Sequence, residues 1–253
     1  MPAGSVRLTW REIGTEQREI SGEVIEEAFV TLYLNGHELV TIMGTPLNLE
    51  AFGLGFLFNE GLIETLDDID HVHVSLASCC VDIWTRHAVD VPKHQIVTSG
   101  CGGGITFDNP QLRLEPVEST MRLDPKQLYQ LFNMLQGPDS LYARARGVHT
   151  TGLTDGNQIL AFAEDVGRHN TIDKIAGICL QEGIEARDRV LLTTGRVSSE
   201  MLRKAARMGC PVIASRNSPT SLSIELAKTL HITLIGYVRR ASMRVYTRPE
   251  RMT

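Results

Sequence analysis

The chain has 253 residues, 42% of them hydrophobic and 22% charged, so it can bury a sizeable core without disulfides or metals. A formal net charge of -5 excludes the global basic field that gathers nucleic acid, and no nucleic-acid partner is expected. No apolar run approaches the ~18–20 residues of a membrane span, and the N-terminus has no signal-peptide pattern. We therefore expect a cytoplasmic protein with no membrane partner.

The N-terminal third is typical of short strands around one helix. Asn35-Gly36 lies between two strand-like runs and predicts a hairpin. Thr45 is the predicted N-cap of a helix that starts at Pro46 and stops before Gly61. Alternation continues over residues 69–98 and ends in the run T-S-G-C-G-G-G.

A polar connector at residues 107–123 suggests a division of the chain. We predict an N-terminal α+β region over residues 1–110, which carries the cysteine loop, and an α/β cofactor-binding domain over residues 120–253. The second region opens with a helix capped by Asp124 and started by Pro125.

The last hundred residues alternate between helix and strand patterns. Asp155-Gly156-Asn157 predicts a hairpin, and strands near residues 190, 212 and 233 are separated by helical patterns. Parallel strands need such crossovers, so we expect a mixed, largely parallel sheet covered on both faces.

Arginine recurs at the carboxyl ends of these strands, where open α/β sheets bind their ligands. The residues are Arg168, Arg196, Arg216 and the pair Arg239-Arg240. Gly195 permits close backbone approach, and Ser198 adds a hydroxyl donor at a helix start. Because guanidinium groups bind phosphate oxygens in a bidentate way, the pattern predicts a phosphate-rich ligand, most simply a nucleotide. The plainer alternative is a set of helix caps and surface arginines.

His169 lies in the run E-D-V-G-R-H-N, just before a predicted helix. We expect it at the mouth of the ligand site, as a hydrogen-bonding or proton-handling group. The alternative is a neighbour of the helix cap with no ligand contact.

Cys101 is the predicted reactive group. Three glycines follow it, so its sulfur is accessible, and nucleophilic sulfur chemistry needs an accessible thiolate. A tight turn with an incidental cysteine is the alternative. Cys179 and Cys210 fall in apolar patterns and are expected to act as small hydrophobic residues.

A metal site is not expected. Cys79 and Cys80 are adjacent, so on a strand they would point to opposite faces, and no C-x-x-C run occurs. A zinc nucleoside deaminase is a remote alternative, because it needs an H-x-E pair and a P-C-x-x-C ligand set. Here His149 is followed by Thr150 and Thr151.

Several runs resemble the FdhD (NarQ) family over nearly the whole chain. They are T-P-x-x-L-E-x-x-x-x-G-F-L-F-x-E-G from Thr45, G-V-H-T near residue 147, E-D-V-G-R-H-N-T-I-D-K from Glu164, L-L-T-T-G-R-V-S-S-E-M at 191–201, S-P-T-S-L at 218–222, and G-Y-V-R-R-A-S-M-R-V-Y-T near the end.

The resemblance implies a three-layer α/β/α sandwich similar to cytidine deaminase. It implies a sulfurtransferase in the sense of a persulfide carrier, required for formate dehydrogenase activity. Such a carrier takes sulfur from a cysteine desulfurase and passes it to the bis-molybdopterin guanine dinucleotide form of the molybdenum cofactor before that cofactor is inserted. A homodimer without a catalytic metal of its own is implied as well.

The family's persulfide cysteine falls on Cys101, and its cofactor-binding segment falls on Tyr237, Val238, Arg239, Arg240, Ala241 and Ser242. One departure matters: the family pattern C-G-x-C would place a second cysteine at Gly104. A relay between two thiols of that loop is therefore excluded here, and a single-persulfide carrier remains. The main alternative is a molybdenum-cofactor chaperone that carries no sulfur.

Overall fold

The structure is a computed structural model that describes residues 4–92, 95–97, 105–107, 112–240 and 242–253. It opens with an antiparallel ribbon of two strands, β1 (Ser5–Ile13) and β2 (Gln17–Ile25). One face of the ribbon is apolar, since Val6, Leu8 and Trp10 alternate along β1 and remain partly exposed.

A small four-stranded sheet and a helix form the first core. The elements are β3 (Ala28–Leu34), β4 (His37–Gly44), α1 (Leu49–Asn59), β5 (Ile69–Ser75) and β6 (Cys80–Thr85), with the strand order β4-β3-β6-β5. A short 3-10 helix, Leu66–Asp68, precedes β5. The hairpin predicted at Asn35-Gly36 is confirmed, and both residues have positive φ, at 53° and 75°.

The start predicted for α1 is wrong. The helix begins at Leu49, and its N-cap residue is Asn48, with φ 52°. Thr45 is used for a longer-range contact instead: its N–H donates to Asp165 Oδ2 at 3.0 Å, and its hydroxyl accepts from the Val166 N–H at 3.2 Å. The predicted end is confirmed, because Glu60 is the C-cap residue and Gly61 follows in a left-handed conformation.

A short hairpin follows, built from β7 (Gln95–Val97) and β8 (Ile105–Phe107). Cys101 and Gly104 fall in the chain between these two strands and lie outside the described residues, as does Ala241.

The second half of the chain forms a six-stranded mixed sheet. Its mixed character is confirmed, but the expectation of a largely parallel sheet is wrong, because antiparallel neighbours flank the three parallel strands on both sides. Its elements are α2 (Pro125–Met134), α3 (Leu141–Ala145), β9 (His149–Thr154), β10 (Ile159–Asp165), α4 (Arg168–Glu182), β11 (Val190–Thr193), α5 (Ser199–Arg207), β12 (Val212–Ser215), α6 (Ser221–Thr229), β13 (Thr233–Arg239) and β14 (Ser242–Val245), followed by a 3-10 turn, Pro249–Arg251. The strand order is β10-β9-β11-β12-β13-β14, and β11, β12 and β13 are parallel.

Helices cover both faces of this sheet. Leu128, Leu131 and Phe132 of α2 pack with one set of strand side chains, among them Leu192 and Val212. The alternate strand residues pack against α4, α5 and α6 on the other face. The α/β/α layering is therefore confirmed, while the likeness to cytidine deaminase stays a prediction.

Helices α1 and α4 join the two halves through glycines. A Cβ at Gly55 would overlap the carbonyl oxygen of Asp173, and a Cβ at Gly177 would overlap that of Ala51. The two backbones are thus in direct contact. The division into residues 1–110 and 120–253 stays a prediction.

Within the described ranges, no helix is both long enough and apolar enough to cross a membrane.

Candidate functional site

One edge of the six-stranded sheet gathers the predicted site residues. Strands β11 and β12 are parallel and end together at Thr193 and Ser215. Strand β9 runs the other way, and its first residue, His149, pairs with Asp165 at the end of β10. We call this edge the strand-end site, and its members are His149, Arg168, His169, Gly195, Arg196, Ser198, Arg216, Arg239 and Arg240.

Arg168 packs into the first half of the strand-end site. It is 9% exposed and lies against Gly195, where an added Cβ would stand 2.8 Å from the Cβ of Arg168. The same added Cβ would be 3.4 Å from Nδ1 of His149, so the side chains of Arg168 and His149 both pack closely against this glycine. Any larger residue at position 195 would displace the arginine, which is the physical reason for a glycine there.

His169 lies at the buried base of the strand-end site, so the expectation that it lies at the mouth is wrong. Its Nε2 atom is 3.0 Å from Ser198 Oγ and 3.4 Å from Glu200 Oε2, and the ring is 7% exposed. Burial lowers its pKa well below the ordinary value, and the nearby cations Lys204 and Arg168 lower it further. The ring is therefore a neutral hydrogen-bonding group at physiological pH, and its role in ligand binding stays a prediction.

This burial predicts a pH dependence of stability. The unfolded chain takes up a proton at His169 as the pH falls below about 6.5, whereas the folded chain does not. Below about pH 6.5, His169 therefore lowers the free energy of unfolding by up to about 1.4 kcal/mol for each pH unit. We expect His169→Gln to lose less stability than the wild type between pH 7 and 5.5 in urea unfolding.

The exposed His37 supplies the matched control, because His37→Gln removes a histidine that is already in water. It should show the wild-type loss of stability over the same interval. Equal losses in all three proteins would contradict a neutral, buried His169.

Arg216 organises the second half of the site. Its Nη2 donates to the carbonyl oxygen of Phe132 at 3.0 Å, and its guanidinium lies 5.5 Å from the ring centroid of that residue. A cavity of about 180 Å³ opens beside it. The cavity is lined by Tyr129, Phe132, Asn133, Arg216, Val238, Arg239 and Arg240. Burial and the charge of Arg239 lower the pKa of Arg216, but a guanidinium stays charged in proteins, so an anion would relieve their repulsion.

The segment 237–242 has an irregular backbone. The register between β13 and β14 shifts after Gly236, and Tyr237 has φ 51° while its N–H donates to the Asn217 carbonyl at 3.1 Å. Val238 is 1% exposed and packs in the core beside α2, so only its backbone can face a ligand. Arg239, Arg240 and Ser242 are exposed, as is Arg196.

Burial makes two of the described cysteines poor nucleophiles. Cys179 and Cys210 are buried, which confirms them as small hydrophobic residues, and burial raises the pKa of Cys179 to about 12. Burial also raises the pKa of Cys210 and, more weakly, that of Cys79. In the described part of the chain, no group of three or more metal-ligating side chains is arranged to hold a metal.

Several buried residues beside the site are not visible in the sequence patterns. Lys174 Nζ is 2.6 Å from Asp165 Oδ2, and it donates to the carbonyl oxygens of Thr45 and Glu164 at 2.9 and 3.2 Å. This pair ties α4 to the end of β10 and to the approach to α1. In the sequence, only the charged residues of the run from Glu164 to Lys174 hint at this ion pair. An ion pair between a strand and a helix has no characteristic spacing in the sequence, so the pattern does not predict it.

Fold and site together define a class: a mixed α/β protein with a cationic site, partly buried, at the carboxyl ends of its parallel strands. The model of the FdhD/NarQ family matches residues 25–253, and the chain belongs to that family.

Named relatives agree with this assignment. The chain is 34% identical to the sulfur carrier protein FdhD of Bacillus subtilis over 98% of its own length and 97% of the relative's. It is 34% identical to the protein of the same name from Staphylococcus aureus, over 91% and 89%. A solved structure assigned as a formate dehydrogenase accessory protein from Desulfotalea psychrophila superposes with a TM-score of 0.80 and 27% identity, covering 98% of this chain and 99% of that one.

Proposed function

We propose that this chain is a sulfur carrier required for formate dehydrogenase activity. It takes persulfide sulfur from a cysteine desulfurase on Cys101 and passes it to the bis-molybdopterin guanine dinucleotide cofactor before insertion. In the loading step, the Cys101 thiolate attacks the outer sulfur of the donor persulfide, and the donor cysteine leaves as a thiolate. The family and its named sulfur carriers support the carrier role.

One observation carries the assignment of the acceptor site: the cavity beside Arg216, with Arg239 and Arg240 on its wall. Its donor set suits phosphate oxygens, and the half-buried Tyr129 ring suits a flat base. A volume of about 180 Å³ is below the range usual for whole ligands. The cavity therefore holds one nucleotide end of the acceptor, and the remainder would extend along the sheet edge toward Arg168 and Arg196.

Calorimetry with GDP as the probe tests this site. We expect binding at low salt that weakens as salt is added, because phosphate contacts are screened. Arg216→Ala should weaken it at least about tenfold, which is what loss of a charged hydrogen bond costs. Arg203→Ala removes the same charge from the exposed face of α5 and should bind like the wild type. Absence of GDP binding in the wild type at low salt would overturn the site assignment.

The leading alternative is a chaperone that binds the molybdenum cofactor without carrying sulfur. The cationic strand-end site is equally consistent with a chaperone and with a sulfur carrier. The two functions differ only in whether the Cys101 thiol takes up sulfur. Mass spectrometry after incubation with a desulfurase and cysteine decides between them, since only a carrier gains removable sulfur. We further propose a cytoplasmic homodimer that meets the desulfurase and formate dehydrogenase in turn.

A further inference from the structure

His149 takes the place at the strand-end site that the sequence assigns to His169. It is the first residue of β9 and pairs with Asp165 at the end of β10, so it lies at the edge where β11 and β12 also end. Its side chain is half-buried, whereas the ring of His169 is 7% exposed. Of these two histidines, His149 is therefore the one that a ligand at the sheet edge can reach.

The ring of His149 has unused hydrogen-bonding capacity. Across the described ranges, neither of its nitrogens makes a hydrogen bond or an ion pair. The ring of His169 differs, since its Nε2 atom lies 3.0 Å from Ser198 Oγ. The Nδ1 atom of His149 lies 3.4 Å from the position that a Cβ on Gly195 would take, so the ring stands beside bare backbone. Polar groups that are withdrawn from water nearly always have a partner, so this ring is suited to an external one.

The surroundings of His149 keep its free ring neutral. Burial lowers the pKa of His149 and Arg168 lowers it further, while Asp165 acts in the opposite direction. The carboxylate of Asp165 is already paired with Lys174 at 2.6 Å, which limits its effect on the ring. The charged and titratable groups around the ring are Arg168 and His169 of α4, Asp165 at the end of β10, and Arg196 in the loop after β11. His169 stays neutral throughout, because its own pKa is about 2.

The distance between His149 and the cavity beside Arg216 suits one nucleotide. Strand β9 is two strand spacings from β12, which is about 10 Å, and Arg216 follows β12 directly. Arg168 packs against Gly195 at the end of β11, the strand between them. A nucleotide with its base in the cavity would therefore extend its phosphates toward Arg168 and His149.

We propose that His149 is the histidine of the strand-end site that donates a hydrogen bond to a phosphate oxygen of the acceptor, beside the guanidinium of Arg168. The proposal rests on the proposed function and adds a binding residue to its acceptor site. A phosphate oxygen accepts from a ring N–H, and its negative charge favours the protonated ring. Binding is therefore coupled to the transfer of one proton from solvent to His149.

Calorimetry with GDP as the probe, at low salt and at about pH 6 and about pH 8, tests this role. His149→Gln keeps a neutral N–H donor, so it should bind as the wild type does at the higher pH and at least about fivefold more weakly at the lower pH. His149→Ala removes the donor and should bind at least about fivefold more weakly at both. Repeating the measurement in buffers of different ionisation heat should show more proton uptake by the wild type than by His149→Gln.

Two controls isolate the ring. The GDP phosphate titrates near pH 6 as well, but equally with every protein, so the difference between wild type and His149→Gln reports the histidine alone. His37→Gln removes an exposed histidine of β4 and should bind as the wild type does.

Nuclear magnetic resonance of the wild type supplies a readout that no variant can disturb. The titration midpoint of the His149 ring signals should rise by at least about one pH unit when GDP is added. Wild-type affinity and proton uptake in His149→Ala, or an unchanged midpoint in the presence of bound GDP, would overturn the role of His149. A wild type that binds no GDP would instead remove the acceptor site itself.

Discussion

Cys101→Ser is expected to accept no sulfur and to lower formate dehydrogenase activation by at least about 100-fold. A persulfide forms only on a thiolate, and a serine hydroxyl cannot hold the transferred sulfur. Gly104 stands where the family pattern has a second cysteine, so no neighbouring thiol of this loop can take over. Intact-mass spectrometry should show one reductant-removable sulfur on the wild type and none on the variant.

Single serine substitutions of the other cysteines are the controls. Cys79→Ser lies in the turn before β6 and Cys80→Ser at the first residue of β6, and both should load sulfur and support activation as the wild type does. Cys179→Ser and Cys210→Ser place a hydroxyl in the core and should lose stability but keep their loading per folded molecule. Full activation by Cys101→Ser would refute the carrier mechanism and favour the cofactor chaperone.

The elements that the sequence predicts well are those with local chemistry. The hairpin at Asn35-Gly36 needs positive φ at both residues, and these residue types tolerate it. Helix α2 starts where Asp124 accepts from the Lys126 N–H at 2.8 Å and Pro125 fixes the first turn. In both cases the determining contacts lie within a few residues, so a sequence window contains them.

The start of α1 was missed because its determinants are distant. Thr45 and Pro46 make a good local cap, yet Asp165 competes for the Thr45 backbone from 120 residues away. The same limit applies to Glu60, whose partners Thr106 and Lys204 come from separate parts of the chain. Long-range polar pairs have no characteristic spacing and become visible only once the fold is known.

Some features of the candidate site can be predicted from the sequence, and others cannot. Strand alternation predicts that the arginines share one edge of the sheet, because parallel strands end at the same edge. It does not predict that Arg168 is buried against Gly195 while Arg196 stays exposed, since that depends on packing across β9 and β11. The position of Val238 in the core likewise follows from the irregular register of β13 and β14.

Gly177→Ala is expected to destabilise the fold by at least about 3 kcal/mol, despite the better helix propensity of alanine. The new methyl group would overlap the carbonyl oxygen of Ala51, and the clash involves backbone atoms on both helices, which cannot turn away as a side chain can. Helices α1 and α4 would have to separate, which disturbs Asn59 and Asp173 at their contact. A fall in Tm of at least about 6 °C should follow for a domain of this size.

Gly183→Ala is the matched control, at the C-cap of the same helix. It meets nothing within 4 Å, and its cost comes only from φ 65°, about 1–2 kcal/mol. The two variants therefore compare a steric cost with a conformational cost in one helix. If Gly177→Ala is as stable as Gly183→Ala, the close contact between α1 and α4 is not what joins the halves. A much larger loss of stability in Gly177→Ala than in Gly183→Ala would confirm that the backbone contact between α1 and α4 stabilises the fold.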